Sequence, residues 1–174
     1  MGKDDDSRKG QLVPEGDTAT LMFRRTLHHA PERVWEAIAT PVGLKQWLMC
    51  SETRIDGRTG GTIEMLSGPP GYRSKGKILR WEPPRVFEYE WNVGPVPEMP
   101  FGQHAIFRYE LIAQGSSTLL TVTYRRLTKE TASGFLPGTH AFLDRLEAQL
   151  DGQPLPDWTH RFEELLGRYP RWTK

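Results

Sequence analysis

From about residue 18 the apolar positions recur every second residue, which marks half-buried strands. Leu21, Phe23, Arg25 and Leu27 share one phase over residues 18–27, the first predicted strand. A helical spacing follows. Pro31 and Glu32 suit a first turn, and Val34, Trp35 and Ile38 form a buried stripe that Thr40-Pro41 ends. A second short helix carries Leu44, Trp47 and Leu48 on one face. The period of two then returns, predicting strands over 53–56, 62–67, 72–82, 86–91, 104–114 and 118–124. Ile63 and Met65 are in phase on one of them. Further along, Phe87, Tyr89 and Trp91, then Phe107, Tyr109 and Leu111, then Leu120, Val122 and Tyr124 make apolar faces, with Glu88, Glu90, Arg108 and Glu110 on the polar phases. One polar face per strand is the mark of an antiparallel sheet. Gly76 is read as a bulge inside the third of these strands. The helical period resumes over 137–150, where Phe142, Leu143, Leu146 and Leu150 align, and again over 157–167 with Trp158, Phe162 and Leu165.

The predicted class is therefore α+β: an antiparallel sheet of six to seven strands, two short helices after the first strand, and a long C-terminal helix. A sheet of that length twists and curls, and its concave face needs a cover. Only the helix over 137–150 is long enough to supply one. Residues 1–17 are polar and without period and are read as a disordered leader. Residues 18–151 form the domain, and 152–174 an extension with a short helix that covers a pocket mouth or makes a dimer contact.

Composition narrows the function classes. With 23 Lys+Arg against 22 Asp+Glu, the net charge is +1, so no whole-molecule attraction to nucleic acid or anionic lipid is expected. A single cysteine, Cys50, excludes an intrachain disulfide framework and a multi-cysteine metal site. Without an apolar run of spanning or signal-peptide type, a cytoplasmic location is the expectation. Six Trp, five Tyr and seven Phe are the unusual feature.

The order of elements and a series of short segments resemble a known family. The segments are Arg25-Thr26-Leu27, Ala30-Pro31-Glu32-Arg33-Val34-Trp35-Glu36-Ala37-Ile38, Leu44-Lys45-Gln46-Trp47-Leu48-Met49 and Gly60-Gly61-Thr62-Ile63. They continue with Gly76-Lys77-Ile78-Leu79, Glu82-Pro83-Pro84-Arg85 and Leu143-Asp144-Arg145-Leu146. Over about residues 18–151 the chain resembles the START-like (SRPBCC), helix-grip superfamily of birch-pollen-allergen-like and polyketide-cyclase-like proteins. Within it the chain is similar to the bacterial family named for homology to the activator of the heat-shock protein 90 ATPase. The resemblance implies the helix-grip fold, with the sheet wrapped around the C-terminal helix. Two features depart from the family pattern: the proline-filled loop at 94–100 and the long tail after Gly152. The motif residues are structural. None is a nucleophile, an acid or a metal ligand.

Chemistry-bearing residues are sparse. His28 and His29 are adjacent on a strand end and point to opposite faces, so a shared metal is not expected. His104, His140 and His160 have no ligand spacing. Neither Gly57-Arg58-Thr59-Gly60-Gly61 nor Gly68-Pro69-Pro70-Gly71 has phosphate-loop spacing, and no G-x-S-x-G elbow exists. Cys50 reads as an inert small residue. No metal, cofactor or catalytic residue is predicted. Arg25 lies on an inward phase and needs a partner: Glu64, Glu110 or an anionic ligand. A structural ion pair is the plainer alternative.

The aromatic set remains. Tyr89, Trp91, Phe107, Tyr109 and Tyr124 lie on inward phases of three successive strands. Phe142 and Leu146 face them from the long helix, and Trp47, Ile63 and Met65 are placed at the other end. A filled core accounts for them. So does an apolar chamber in which tyrosine hydroxyls are the polar points, which is how small-molecule pockets are built. The family resemblance brings the chamber level with the filled core, and in the chamber reading tyrosine hydroxyls and Arg25 would orient the ligand. The expectation is a protein that binds a small hydrophobic or aromatic molecule and is not an enzyme, with no nucleic-acid or membrane partner. Two alternatives stay open: an interaction protein acting on a chaperone ATPase, and a cyclase- or hydratase-like enzyme using the same chamber. A homodimer is also left open.

Overall fold

The computed structural model describes residues 7–169. Its strands are β1 (Gln11–Glu15), β2 (Thr18–Leu27), β3 (Ser51–Ile55), β4 (Thr62–Ser67), β5 (Tyr72–Glu82), β6 (Val86–Val93), β7 (Gln103–Gln114) and β8 (Ser117–Thr128). They form one eight-stranded sheet in the order β1-β2-β8-β7-β6-β5-β4-β3. Every pairing is antiparallel. Helices α1 (Pro31–Ala39) and α2 (Pro41–Trp47) follow β2, α3 (Lys129–Leu150) follows β8, and α4 (Trp158–Leu166) closes the described chain. No helix among the described residues is long and apolar enough to cross a membrane.

The strand count corrects the sequence reading. Residues 11–15, read as part of a disordered leader, form β1 and pair along β2 from Gln11–Met22 to Glu15–Thr18. The two short helices therefore follow the second strand. β1 is mostly exposed, so it carries no alternating signal. Pro14 is tolerated because β1 is an edge strand, where a missing N–H costs nothing. Residues 1–6 of the proposed leader and 170–174 of the extension lie outside the described residues.

The long helix also begins earlier than predicted. Pro137 suggested a first turn, yet it lies inside α3. The start is set by Thr128, whose Oγ1 accepts from Thr131 N at 3.2 Å, with Glu130 in the first turn. The extra turns, residues 129–136, lie over the sheet beside the proline-rich loop.

Local sequence explains the remaining joints. Thr40 ends α1 and caps α2, accepting from Gly43 N at 3.1 Å. A Cβ on Gly43 would lie 2.3 Å from Glu36 O, so only glycine lets α2 turn back onto α1. Trp47 Nε1 donates to Ala37 O at 2.8 Å and locks the two helices together. Gly76 is a close approach rather than the bulge: a Cβ there would meet Glu90 O at 1.8 Å. The register shift falls between Ile78 and Arg80.

One buried polar cluster ties sheet, α3 and tail together. Arg25 Nη1 donates to Asp144 Oδ1 at 2.9 Å and to Glu147 Oε1 at 3.1 Å. Arg161 Nε of α4 donates to the other Asp144 oxygen at 2.8 Å. His140 Nδ1 and Tyr169 Oη lie 2.7 Å apart, and Gly10 N donates to that hydroxyl at 2.9 Å. Arg145 reaches the carbonyls of Gln46, Trp47 and Pro156. The charged pair of the Leu143-Asp144-Arg145-Leu146 segment thus staples α2, β2 and the tail to α3.

Candidate functional site

The strand register builds the site. Tyr89 of β6 lies opposite Phe107 of β7, and Phe107 opposite Tyr124 of β8. This row of three rings faces α3. The next row, Phe87, Tyr109 and Val122, lies further along the same strands. Trp91 stacks on Phe107 at 4.9 Å between centroids, and Phe107 on Tyr124 at 3.8 Å. A second aromatic layer comes from the helices: Phe142 of α3 lies 5.2 Å from Trp158 of α4, which stacks on Phe162 at 4.9 Å.

Between the layers lies a space of about 360 Å³. Beyond the rings, its walls include Gly68–Pro70 of the β4–β5 turn, Tyr72 of β5, and Glu98 and Met99 of the β6–β7 loop. On α3, Thr131, Gly134, Phe135, Gly138 and Phe142 follow helical spacing and form the facing stripe. No Lys, Arg or His is among the lining residues; the charged ones are Glu98 and Glu130, both exposed.

Six of the sequence-predicted site residues come together here: Met65, Tyr89, Trp91, Phe107, Tyr124 and Phe142. Trp47, Ile63 and Leu146 do not line the space; they are fully buried core. Their phases were inward, but they pack where helix and sheet are already in contact. Tyr109 lies behind the wall, its hydroxyl 2.7 Å from that of Tyr124. Arg25 takes the plainer of its two readings, a structural ion pair. It is buried against Asp144 and Glu147 of α3, away from the space. The partners weighed for it, Glu64 and Glu110, pair with Lys75 and Arg108 instead.

Sequence reasoning missed Tyr72, Phe135, Trp158 and Phe162. Trp158 and Phe162 stand four apart, a readable stripe, but nothing in the chain says which surface that stripe meets. Phe135 was lost with the early turns of α3.

Burial pushes the Tyr89, Tyr109 and Tyr124 phenols well above the ordinary value, and their mutual proximity adds to it. They are therefore neutral donors, not bases. Glu88 is on the outer phase yet buried, held by Arg108 at 3.1 Å and Arg125 at 3.2 Å. Glu90 accepts from Lys77 N. The histidine pair divides between partners: His28 Nδ1 is 3.3 Å from Ser117 Oγ, and His29 Nε2 is 2.7 Å from Asp151 Oδ1.

Cys50 is buried against Met65, with 3.6 Å between sulfurs. Burial pushes its thiol up from 9.0 to about 12. Two outcomes are expected. At pH 8 a thiol reagent labels the folded protein only as fast as it opens, and labels urea-unfolded protein promptly. Stability is unaffected by this group below pH 9 and falls between pH 9 and about 12, because the unfolded chain loses the thiol proton while the folded chain keeps it. Prompt labelling of folded protein would contradict the burial.

Comparison with known proteins places this geometry. Residues 28–151 match the family described as activator of Hsp90 ATPase homolog 1-like protein. The chain belongs to that family. The match covers well over half of its length, and the fold is that of the START-like superfamily. Solved structures agree on the fold. CalU16 from Micromonospora echinospora is 23% identical, with 92% of each chain covered and a TM-score of 0.69. Protein MLL2253 from Mesorhizobium loti is 24% identical over 78% of this chain and 99% of that one, with a TM-score of 0.67. EF2215 from Enterococcus faecalis, titled a conserved protein of unknown function, is 17% identical over 92% and 90%, also at 0.67. At such identities the likeness speaks for the fold alone. A search of curated proteins returns no match. The family match stops at 151, so α4, which brings Trp158 and Phe162 to the site, lies outside it.

Proposed function

We propose that this family member binds a small, flat, apolar molecule in the space between the sheet and α3. The observation that carries the reading is the pair of aromatic layers, Trp91-Phe107-Tyr124 on one side and Phe142-Trp158-Phe162 on the other, with about 360 Å³ between them. The space opens to solvent past Pro69, Pro70, Glu98 and Glu130, so it is a groove and not an unfilled core, and apolar aromatic walls of this kind are what small-molecule sites have. At interior packing density the gap takes roughly 270 Å³ of ligand, about that of a three- or four-ring molecule. Ring stacking rewards a planar shape. Burial of ligand surface drives affinity, at about 25 cal/mol per Å² before ordering costs.

The experiment is a panel of planar polycycles, fluorene and pyrene among them, read by native mass spectrometry and by quenching of tryptophan fluorescence. A one-to-one complex with raised melting temperature is expected. If no member of the panel binds and the Trp91 and Trp158 environment is indifferent to all of them, the reading is wrong.

Charge sets a further expectation. Glu98 and Glu130 stand at the space with no cation among the lining side chains. Fluorene-9-carboxylate should therefore bind several-fold more weakly than fluorene in low salt. The paired substitution Glu98→Gln and Glu130→Gln should recover part of that loss, and so should about 0.5 M salt, which shortens the screening length below about 5 Å. Unchanged discrimination in the paired variant would assign it to the apolar walls instead.

A further inference from the structure

The three phenols under the space hold more donors than their mutual bonds use. Tyr109 Oη lies 2.7 Å from Tyr124 Oη. Tyr89 stacks on Tyr109, with 6.4 Å between ring centroids. Among the described residues no carbonyl, carboxylate or other acceptor bonds to any of the three hydroxyls. Each hydroxyl has one proton to donate. The Tyr109–Tyr124 pair makes one bond with two protons and leaves one over. When Tyr109 donates, the spare proton is on Tyr124. When Tyr124 donates, the proton of Tyr109 turns to Tyr89 and leaves that residue's own proton spare, or it stays unmatched behind the wall, which is disfavoured. Tyr89 and Tyr124 both line the space and Tyr109 does not.

We propose that the floor of the space presents at least one phenolic O–H to the bound molecule, so that the ligand is a flat ring system carrying a carbonyl oxygen at its inner end. This rests on the ligand-binding reading above and narrows its class from any planar hydrocarbon to a polycyclic ketone or quinone. The spare donor stays protonated across the working pH range. A pure hydrocarbon leaves it unmatched in a dry site; a carbonyl matches it.

Fluorenone and fluorene form the test, since they differ by that oxygen. Fluorenone should bind the unmodified protein about tenfold more tightly, as expected for one well-made buried hydrogen bond. Its carbonyl stretch should move to lower wavenumber on binding. In the double variant Tyr89→Phe and Tyr124→Phe, the preference and the shift should both vanish while fluorene still binds. Equal affinity for the two probes, or a preference without the stretch moving, overturns this inference and leaves the ligand-binding reading standing. If neither probe binds, the ligand-binding reading fails and this inference goes with it. The comparison within the unmodified protein decides the matter even if the double variant does not fold.

Discussion

Asp144→Ala should cost about 3–5 kcal/mol of folding stability, a large share of the roughly 5–15 kcal/mol typical of a domain. Asp144 accepts from Arg25 of β2 with one oxygen and from Arg161 of α4 with the other. The side chains of Arg25 and Arg161 are only 2% and 12% exposed. Removing the carboxylate leaves two guanidiniums short of a partner in a dry place. Glu147 remains for Arg25 at 3.1 Å, and Glu164, a third exposed, for Arg161 at 3.2 Å. Arg25→Met should cost less, because Asp144 keeps Arg161 and Glu147 keeps Arg8. Buried pairs respond this way: removal of one member hurts more than replacement by an apolar residue of similar size. Urea titration with an unchanged m-value reads both costs. If Asp144→Ala loses less than about 1 kcal/mol, or less than Arg25→Met, the cluster is not the clasp the distances describe.

That cluster also marks how far the sequence could be read. Alternation along β2 placed Arg25 inward, and it is inward. Its partners were unreadable, because a strand's period says which face a side chain takes and not what covers that face. Asp144 and Glu147 stand three apart on a helix whose rotation about its axis is set only by packing. The same holds for the site. Strand phases were sufficient to gather Met65, Tyr89, Trp91, Phe107 and Tyr124, because pairing neighbours in an antiparallel sheet brings in-phase residues into one row. They were not sufficient to separate Tyr109 from Tyr124, which share a phase but sit in successive rows. The helical wall was half legible. Phe142 was in the stripe, but Pro137 drew the predicted start of α3 inward and hid Phe135. In the structure Thr128 supplies the start signal, a cap whose side chain cannot be told from an ordinary strand threonine by alternation alone. β1 was invisible for a related reason: apart from Leu12, half-buried against the core, this edge strand is exposed, and it exists because β2 offers it a partner.

Gly134→Leu should leave the fold intact and reduce affinity for fluorene about 100-fold. Gly134 lies in the stripe of α3 that faces the aromatic floor, between Thr131 and Gly138. A Cβ built there meets no atom within 4 Å, so the leucine enters open space and not a neighbour. In a helix interior the replacement of glycine also gains about 0.5–1 kcal/mol through propensity. The melting temperature should therefore hold or rise. Gly134 is exposed and lines the open side of the space, so the roughly 100 Å³ that the side chain adds narrows the space from its mouth. Gly134→Ala separates the two effects, since it keeps most of the helix gain while adding one methyl group, and it should retain most of the affinity. Few tests divide binding from stability so cleanly, because most substitutions that block a buried site also disturb the core around it. A molecule held anywhere else on the protein would be indifferent to both variants. Wild-type affinity in Gly134→Leu would therefore move the site away from the space beneath α3, whatever the aromatic layers suggest.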